Sequence, residues 1–304
     1  MKQESFLTGG RRQGATAGSV PSDGPVLDWA GESGRLWAAV ADRVESQLAP
    51  VSDVLFAAAE LRPGERVLDV GCGRGSTTRR AVGIVGPTGS AAGIDIAVGL
   101  IDEARAIPVR PGAGAPIEWI VADAQTAALP SGAYDAVISR FGTLFFDDPV
   151  VAFGNLAACA RSGGRLCVVV WQRRERSPIM QDALDIASAI AAAHGHPVDI
   201  GMPDEGPFAY GDAAYVRPIL ERAGWTGVEV TEHEVEMLLF GPGTVDEAVD
   251  AGLTFGPMEA ALRDAPAGVV DEVRTALAEH LRPCHDGTGV RMTGAIAVVD
   301  AVRP

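Results

Sequence analysis

An α/β protein with a doubly wound, mostly parallel sheet is expected from three features of this 304-residue chain. Short apolar runs alternate with segments of helical periodicity along residues 66–171, which implies parallel strands with helices on both faces. The run Arg66-Val67-Leu68-Asp69-Val70 stops at Gly71-Cys72-Gly73-Arg74-Gly75. It reads as a buried strand, a glycine turn and the start of a helix. Asp95 closes the next apolar run 20 residues after Gly75, where a strand-end carboxylate can reach the ribose hydroxyls of a nucleotide-like cofactor.

The elements follow in order. Residues 1–25 contain a stretch rich in Gly, Ser, Thr and Pro with no apolar core after Lys2, and are expected to be a flexible tail rather than a signal peptide. Trp29, Leu36, Trp37, Val40 and Val44 give one face of a helix over 28–48; Val51, Val54, Leu55, Ala58 and Leu61 give a second over 51–61, ended by Pro63-Gly64. Strands at 66–70, 91–95, 117–121, 134–139 and 164–171 are interleaved with helices at 76–85, 98–106 and 148–161. Asp147-Asp148 before Pro149 reads as the N-cap of the last of these. Beyond Trp171 the pattern gives a helix at 178–193, a Gly/Pro-rich loop to Phe208, a helix at 211–223, a strand near 226–239, two helices within 243–282 and a strand at 293–302. The implied organisation is a tail (1–25), N-terminal helices covering the active site (26–62), a cofactor-binding core (63–171), and a remainder (172–304) that completes the sheet and inserts helical lids at 172–212 and 241–290.

Composition excludes several functions. A net charge of −15 argues against nucleic acid and anionic membrane surfaces as partners. Lys2 is the sole lysine, which removes Schiff-base and P-loop lysine chemistry. Cys72, Cys159, Cys167 and Cys284 form no Cys-x-x-Cys pair, so neither a zinc site nor a disulfide framework is suggested, and no metal is expected. No stretch has the roughly 20 apolar residues of a membrane span. The expectation is a soluble, cytoplasmic protein.

The run Val67–Gly75, with Gly93-Ile94-Asp95-Ile96, Ala122-Asp123-Ala124 and Tyr134–Arg140, resembles the class I S-adenosylmethionine (SAM) methyltransferases, in particular small-molecule enzymes of the ubiquinone/menaquinone-biosynthesis type. Arg140-Phe141-Gly142, Leu144-Phe145-Phe146 and the Trp29–Trp37 segment resemble a bacterial, natural-product-like branch. The resemblance is strong over 60–171 and thin beyond. It implies a Rossmann-like, seven-stranded sheet with an antiparallel edge strand, SAM as cofactor and S-adenosylhomocysteine as product. Carried onto this chain, Gly71, Cys72 and Gly73 would hold the amino-acid end of SAM through backbone donors and acceptors. Asp95 would take the ribose, Ile96 would pack on the adenine, and Asp123 with Ala124 would read its edge. Arg140 would bring its backbone to the methionine end. Asp69 orders the turn. Asp95 could instead cap the next helix, and Asp123 could be a turn residue.

The acceptor is expected to be a small, apolar or aromatic molecule, lined by Trp29, Trp37, Phe145 and Trp171, with Phe146 nearby. Transfer proceeds in line and is driven mainly by alignment and water exclusion. A general base is needed for a hydroxyl or an unactivated carbon acid; His194, His196 and Glu32 are candidates, with His233 and His285 behind them. The atom methylated stays open, as does a homo-oligomeric state. A nicotinamide oxidoreductase is disfavoured, because Ser76 stands where that fingerprint wants Gly or Ala and no Tyr–Lys pair is available. A SAM-binding protein that transfers no methyl, cyclase-like or a binding module, is the alternative, since cofactor motifs report binding and not turnover.

Overall fold

The computed structural model describes residues 31–108, 117–197, 208–254 and 257–304. The tail 1–25 and Trp29 lie outside them, as does most of the loop that follows Pro197.

Seven strands form one sheet: β1 (Arg66–Val70), β2 (Ser90–Asp95), β3 (Ile117–Val121), β4 (Tyr134–Arg140), β5 (Ala160–Trp171), β6 (Thr226–Leu238) and β7 (Arg291–Val302). Their order is β3-β2-β1-β4-β5-β7-β6. The first five are parallel, whereas β7 runs antiparallel between β5 and the edge strand β6, so the antiparallel pairing lies at that end of the sheet. Val67, Leu68, Val70, Ile94, Val137, Ile138, Val169 and Val170 are buried, as strands covered on both faces require. The chain winds outward from β1 in one direction and from β4 in the other. The gap between their carboxyl ends is the switch point at which such sheets hold ligands.

Helices α1 (Glu32–Ala59), α2 (Ser76–Val85), α3 (Val98–Ala106), α4 (Pro149–Cys159), α5 (Pro178–Ala193), α6 (Ala213–Arg222), α7 (Val245–Leu253), α8 (Pro257–Leu262) and α9 (Ala267–Leu281) surround the sheet. Asp148 caps α4, its carboxylate accepting Val151 N–H at 3.1 Å. The two N-terminal helices expected from the sequence are one helix, α1, with Pro50 inside it. Proline removes one helical N–H and costs about 3 kcal/mol. The helix nevertheless continues, because Val44, Leu48, Val51 and Leu55 form one buried stripe on both sides of it. The region 243–282 holds three helices rather than two, and β5 begins at Ala160, inside the expected end of the preceding helix.

Candidate active site

At the end of β1 the backbone enters the left-handed region at Gly71 (φ 66°), Gly73 (φ 53°) and Gly75 (φ 76°). A Cβ on Gly71 would lie 2.4 Å from the Cα of Gly142, so here two backbones touch where β1 and β4 diverge. A Cβ on Gly73 would meet nothing within 4 Å. The turn is fastened to β2: Gly71 and Cys72 N–H donate to Ile94 O at 2.9 and 3.1 Å, and Gly73 N–H donates to Asp95 Oδ2 at 2.8 Å. The N–H groups expected from sequence to hold the amino-acid end of the cofactor are therefore engaged within the fold.

Asp95 does two jobs at once. Its Oδ1 accepts Ala97 N–H at 2.9 Å at the start of α3, while Oδ2 holds the glycine turn. Burial raises its carboxyl above the usual range, against the lowering effect of the backbone donors. Asp123 likewise orders its own turn, accepting Gln125 N–H at 2.8 Å and the Thr126 hydroxyl at 3.4 Å. Both helix- and turn-ordering roles that the sequence left open thus exist, on side chains that also line the cavity described below. Asp69 is 1% exposed and takes the hydroxyls of Thr77 and Thr78, each at 2.6 Å, on one oxygen. The other oxygen has no partner among the described residues, and burial pushes the carboxyl up to about 6. Burial also raises the Cys72 thiol, which makes Cys72 a small neutral residue of the turn and not a nucleophile.

Above these strand ends lies a cavity of about 900 Å³, near the upper end of the range for small-molecule sites. Gly71, Cys72, Gly73, Asp95, Ile96, Asp123, Ala124, Arg140, Phe145 and Trp171 all line it, so the structure brings these sequence-derived positions together. The Arg140 side chain points away from a ligand-binding task. Its guanidinium, 10% exposed, pairs with Glu45 of α1 at 2.6 Å and with the Ser52 hydroxyl at 2.6 Å. It anchors α1 across the strand ends, and the pairing holds the Glu45 carboxyl below its usual range against the opposing effect of burial. Trp171 ends β5 and stacks on Phe141, with ring centroids 4.2 Å apart and planes 7° from parallel. Phe141 itself sits at φ 67°, an unusual conformation for a bulky residue. Further walls come from α5, α7, α8, α9 and β7 and are largely apolar, with Ile179, Met258, Leu277 and Met292 among them.

The expected histidines are elsewhere. His194 pairs with Glu272 at 2.8 Å on the outer surface, His196 is exposed, His233 lies on edge strand β6, and His285 bonds Gly243 O at 3.0 Å. None of the four lines the cavity. Glu32 and Trp37 lie on α1, but their side chains, like Trp29, fall outside the described residues. The histidine that does line the cavity, among the described residues, is His280, which the sequence reading passed over. It stands next to Leu281 and three residues from Leu277 in α9, so a signal existed: a histidine beside the apolar stripe of a helix. Among the described residues no group of three or more His, Cys, Asp or Glu side chains is placed to hold a metal, and no helix is long and apolar enough to cross a membrane.

Comparison with known proteins agrees with this geometry. Residues 67–164 match the family described as "Methyltransferase domain". The chain is 41% identical over 103 residues to aklanonic acid methyltransferase DauC of Streptomyces sp. (strain C5), a match covering 34% of this chain and 46% of that one. It is 28% identical over 195 residues to nocamycin O-methyltransferase of Saccharothrix syringae, covering 62% and 69%. It is 30% identical over 128 residues to the ubiquinone/menaquinone biosynthesis C-methyltransferase UbiE of Ectopseudomonas mendocina (strain ymp), covering 42% and 50%. The chain thus spans about half the length of two of these relatives. Over residues 67–164, the glycine turn, the strand-end acids and the order of β1 to β4 thus coincide with the segment that is similar to methyltransferase domains.

Proposed function

We propose that this protein transfers a methyl group from SAM to a small apolar or aromatic molecule. The observation that carries the reading is continuity: the glycine turn and its acids share one cavity with an apolar chamber, which Phe141 and the Trp171 stacked on it also line. The donor half fits SAM by its own construction. Gly73 lines the cavity and leaves open the space a Cβ would fill, Asp95 and Asp123 supply acceptors on the same rim, and Ile96, 44% exposed, offers an apolar face to an adenine ring. With the Gly71, Cys72 and Gly73 N–H groups engaged, and Cys72 O taken by Gly75 N–H at 2.8 Å, the carbonyl oxygens of Gly71 and Gly73 would meet the ammonium of the methionine end.

When bound, SAM supplies an electrophilic methyl carbon on a sulfonium. The chain's own contribution is to align and to exclude water, which is worth up to about 7–11 kcal/mol in favourable cases. Helix α1, locked through Glu45 and Arg140, covers the strand ends. Arg43 Nε donates to Phe240 O at 2.9 Å and Gln47 Oε1 accepts Phe240 N–H at 2.8 Å, so α1 also fixes the segment leading into α7. The names of two relatives, aklanonic acid methyltransferase and nocamycin O-methyltransferase, favour a natural product as acceptor class.

The reading is tested by calorimetric titration with SAM, NAD and NADP in parallel. Micromolar SAM binding without nicotinamide binding is expected; the reverse order removes the proposal. Release of S-adenosylhomocysteine on adding an acceptor then separates transfer from binding alone.

A further inference from the structure

We infer that His280 is the general base for a hydroxyl acceptor and that Asp182 is its positioning residue. The inference rests on the methyl-transfer reading of the same cavity. His280 sits in the last turn of α9 and Asp182 in the second turn of α5; His280 Nε2 lies 3.0 Å from Asp182 Oδ2, and both residues line the cavity. The wall around them is otherwise apolar, formed by Ile179, Ala183, Leu277 and Leu281. A lone polar pair in an apolar wall is where a site fixes and activates its ligand.

An ionised carboxylate only accepts, so Asp182 places the imidazole proton on Nε2 and leaves the Nδ1 lone pair free. Among the described residues Nδ1 has no hydrogen-bond partner. This is the arrangement of a base held by an acid. The hydroxyl proton passes to Nδ1 as the oxygen–carbon bond forms; the carbon–sulfur bond of SAM breaks with its electron pair on sulfur; the imidazolium, steadied by Asp182, then returns the proton to solvent. A neutral phenol with a pKa of about 10 is only about one part in a thousand ionised at pH 7, which sets the scale of the help required.

A purely structural role has a comparison within the molecule. His194 Nε2 and Glu272 Oε2, 2.8 Å apart, join the opposite ends of the same two helices, yet neither lines the cavity. Helix stapling therefore does not require a His–acid pair to enter the chamber. Other charged groups on α9 and on the helices packed against it are Asp185 on α5, bonded to Gln181 at 2.7 Å, Glu279 and Arg282 beside His280 in sequence, and Asp250 of α7, which Arg274 takes up.

Two measurements test the inference. Calorimetric titration of the ligand-free proteins should first show that wild type, His280→Gln and Asp182→Asn bind SAM alike; absence of binding to wild type would fail the methyl-transfer reading itself, not this step. Imidazole ¹⁵N NMR of the S-adenosylhomocysteine complex, with His280 assigned from His280→Gln, should show the proton on Nε2 in wild type and a mixed tautomer in Asp182→Asn. A proton on Nδ1 overturns the proposal whether or not an acceptor is turned over. Transfer is then followed with 1-naphthol, the more acidic 4-nitro-1-naphthol and 1-naphthylamine. His280→Gln should lose about 10²–10³-fold on 1-naphthol but less than about tenfold on the pre-ionised nitro compound. Asp182→Asn should move the pH profile for 1-naphthol, while Glu272→Gln leaves it in place. Equal losses on both naphthols, or wild-type transfer to the amine alone, overturn the assignment.

Discussion

Replacing Gly71 and Gly73 in turn by alanine separates what the glycine turn does for the fold from what it does for the ligand. Both residues have positive φ, 66° and 53°, and an L-residue there costs about 1–2 kcal/mol. For Gly73→Ala that is the whole structural cost, since the new Cβ meets nothing within 4 Å. For Gly71→Ala the Cβ would stand 2.4 Å from Gly142 Cα, over 1 Å inside ordinary contact distance. Neither backbone can yield without moving β1 or β4, so overpacking adds roughly 1–3 kcal/mol. The expected totals are about 1–2 kcal/mol for Gly73→Ala and about 2–5 kcal/mol for Gly71→Ala, the latter a large share of a typical 5–15 kcal/mol. Urea unfolding of the ligand-free protein gives the two midpoints, and SAM calorimetry on the folded variants gives affinity. Gly73→Ala should fold nearly as wild type yet bind SAM at least tenfold more weakly, because its methyl group occupies cavity space. Equal stabilities for the two variants, or unchanged SAM affinity in Gly73→Ala, would refute the assignment of one glycine to packing and the other to the ligand.

Further expectations concern the charged groups of the site. Asp95→Ala should weaken SAM binding more than tenfold by calorimetry, since charge-assisted hydrogen bonds contribute about 1.5–3 kcal/mol; unchanged affinity would remove Asp95 from the ribose site. Asp69 has a folded pKa of about 6, above the unfolded value of about 3.9. Below about pH 4 both states are protonated; between pH 4 and 6 the unfolded chain sheds its proton first, and stability falls with rising pH by up to about 3 kcal/mol. Asp69→Asn should abolish that slope in urea titrations from pH 4 to 8, and a slope that persists would refute the burial argument. Glu45 behaves oppositely: its carboxyl is held low, so its pairing with Arg140 stabilises above the unfolded carboxylate pKa and fades as pH falls through the folded one. Because Glu45 is 42% exposed, Glu45→Gln should cost roughly 1–2 kcal/mol, less than the 3–5 kcal/mol of a fully buried pair. Limited proteolysis should then cut within α1 first; an unchanged digestion pattern would mean that the pair does not hold α1 in place.

The strands, the glycine turn and the strand-end acids were legible in the sequence because each is a local device. A run such as Val67–Val70 is fully apolar since both faces of the sheet are covered, and the glycines stand where φ is positive. Asp95 and Asp123 fall at strand ends, where chain order alone sets their distance from the turn. The continuity of α1 through Pro50 was not legible, because the proline signal is local whereas the stripe from Val44 to Leu55 that overrides it acts through tertiary packing. The packing of the helices beyond β5 was the least legible part. Asp182 and His280 are separated by 98 residues, and nothing in either helix names the other; only the antiparallel packing of α5 on α9 sets them against each other at the cavity wall. The same packing sends His194 to the surface with Glu272. Sequence alone thus determined which turn and which strand-end acids meet at one edge of the sheet, since strand, turn and acid are fixed by short-range geometry. Tertiary structure alone decided which side chains wall the apolar part of the cavity, because that part is assembled from helices whose mutual placement no local pattern encodes.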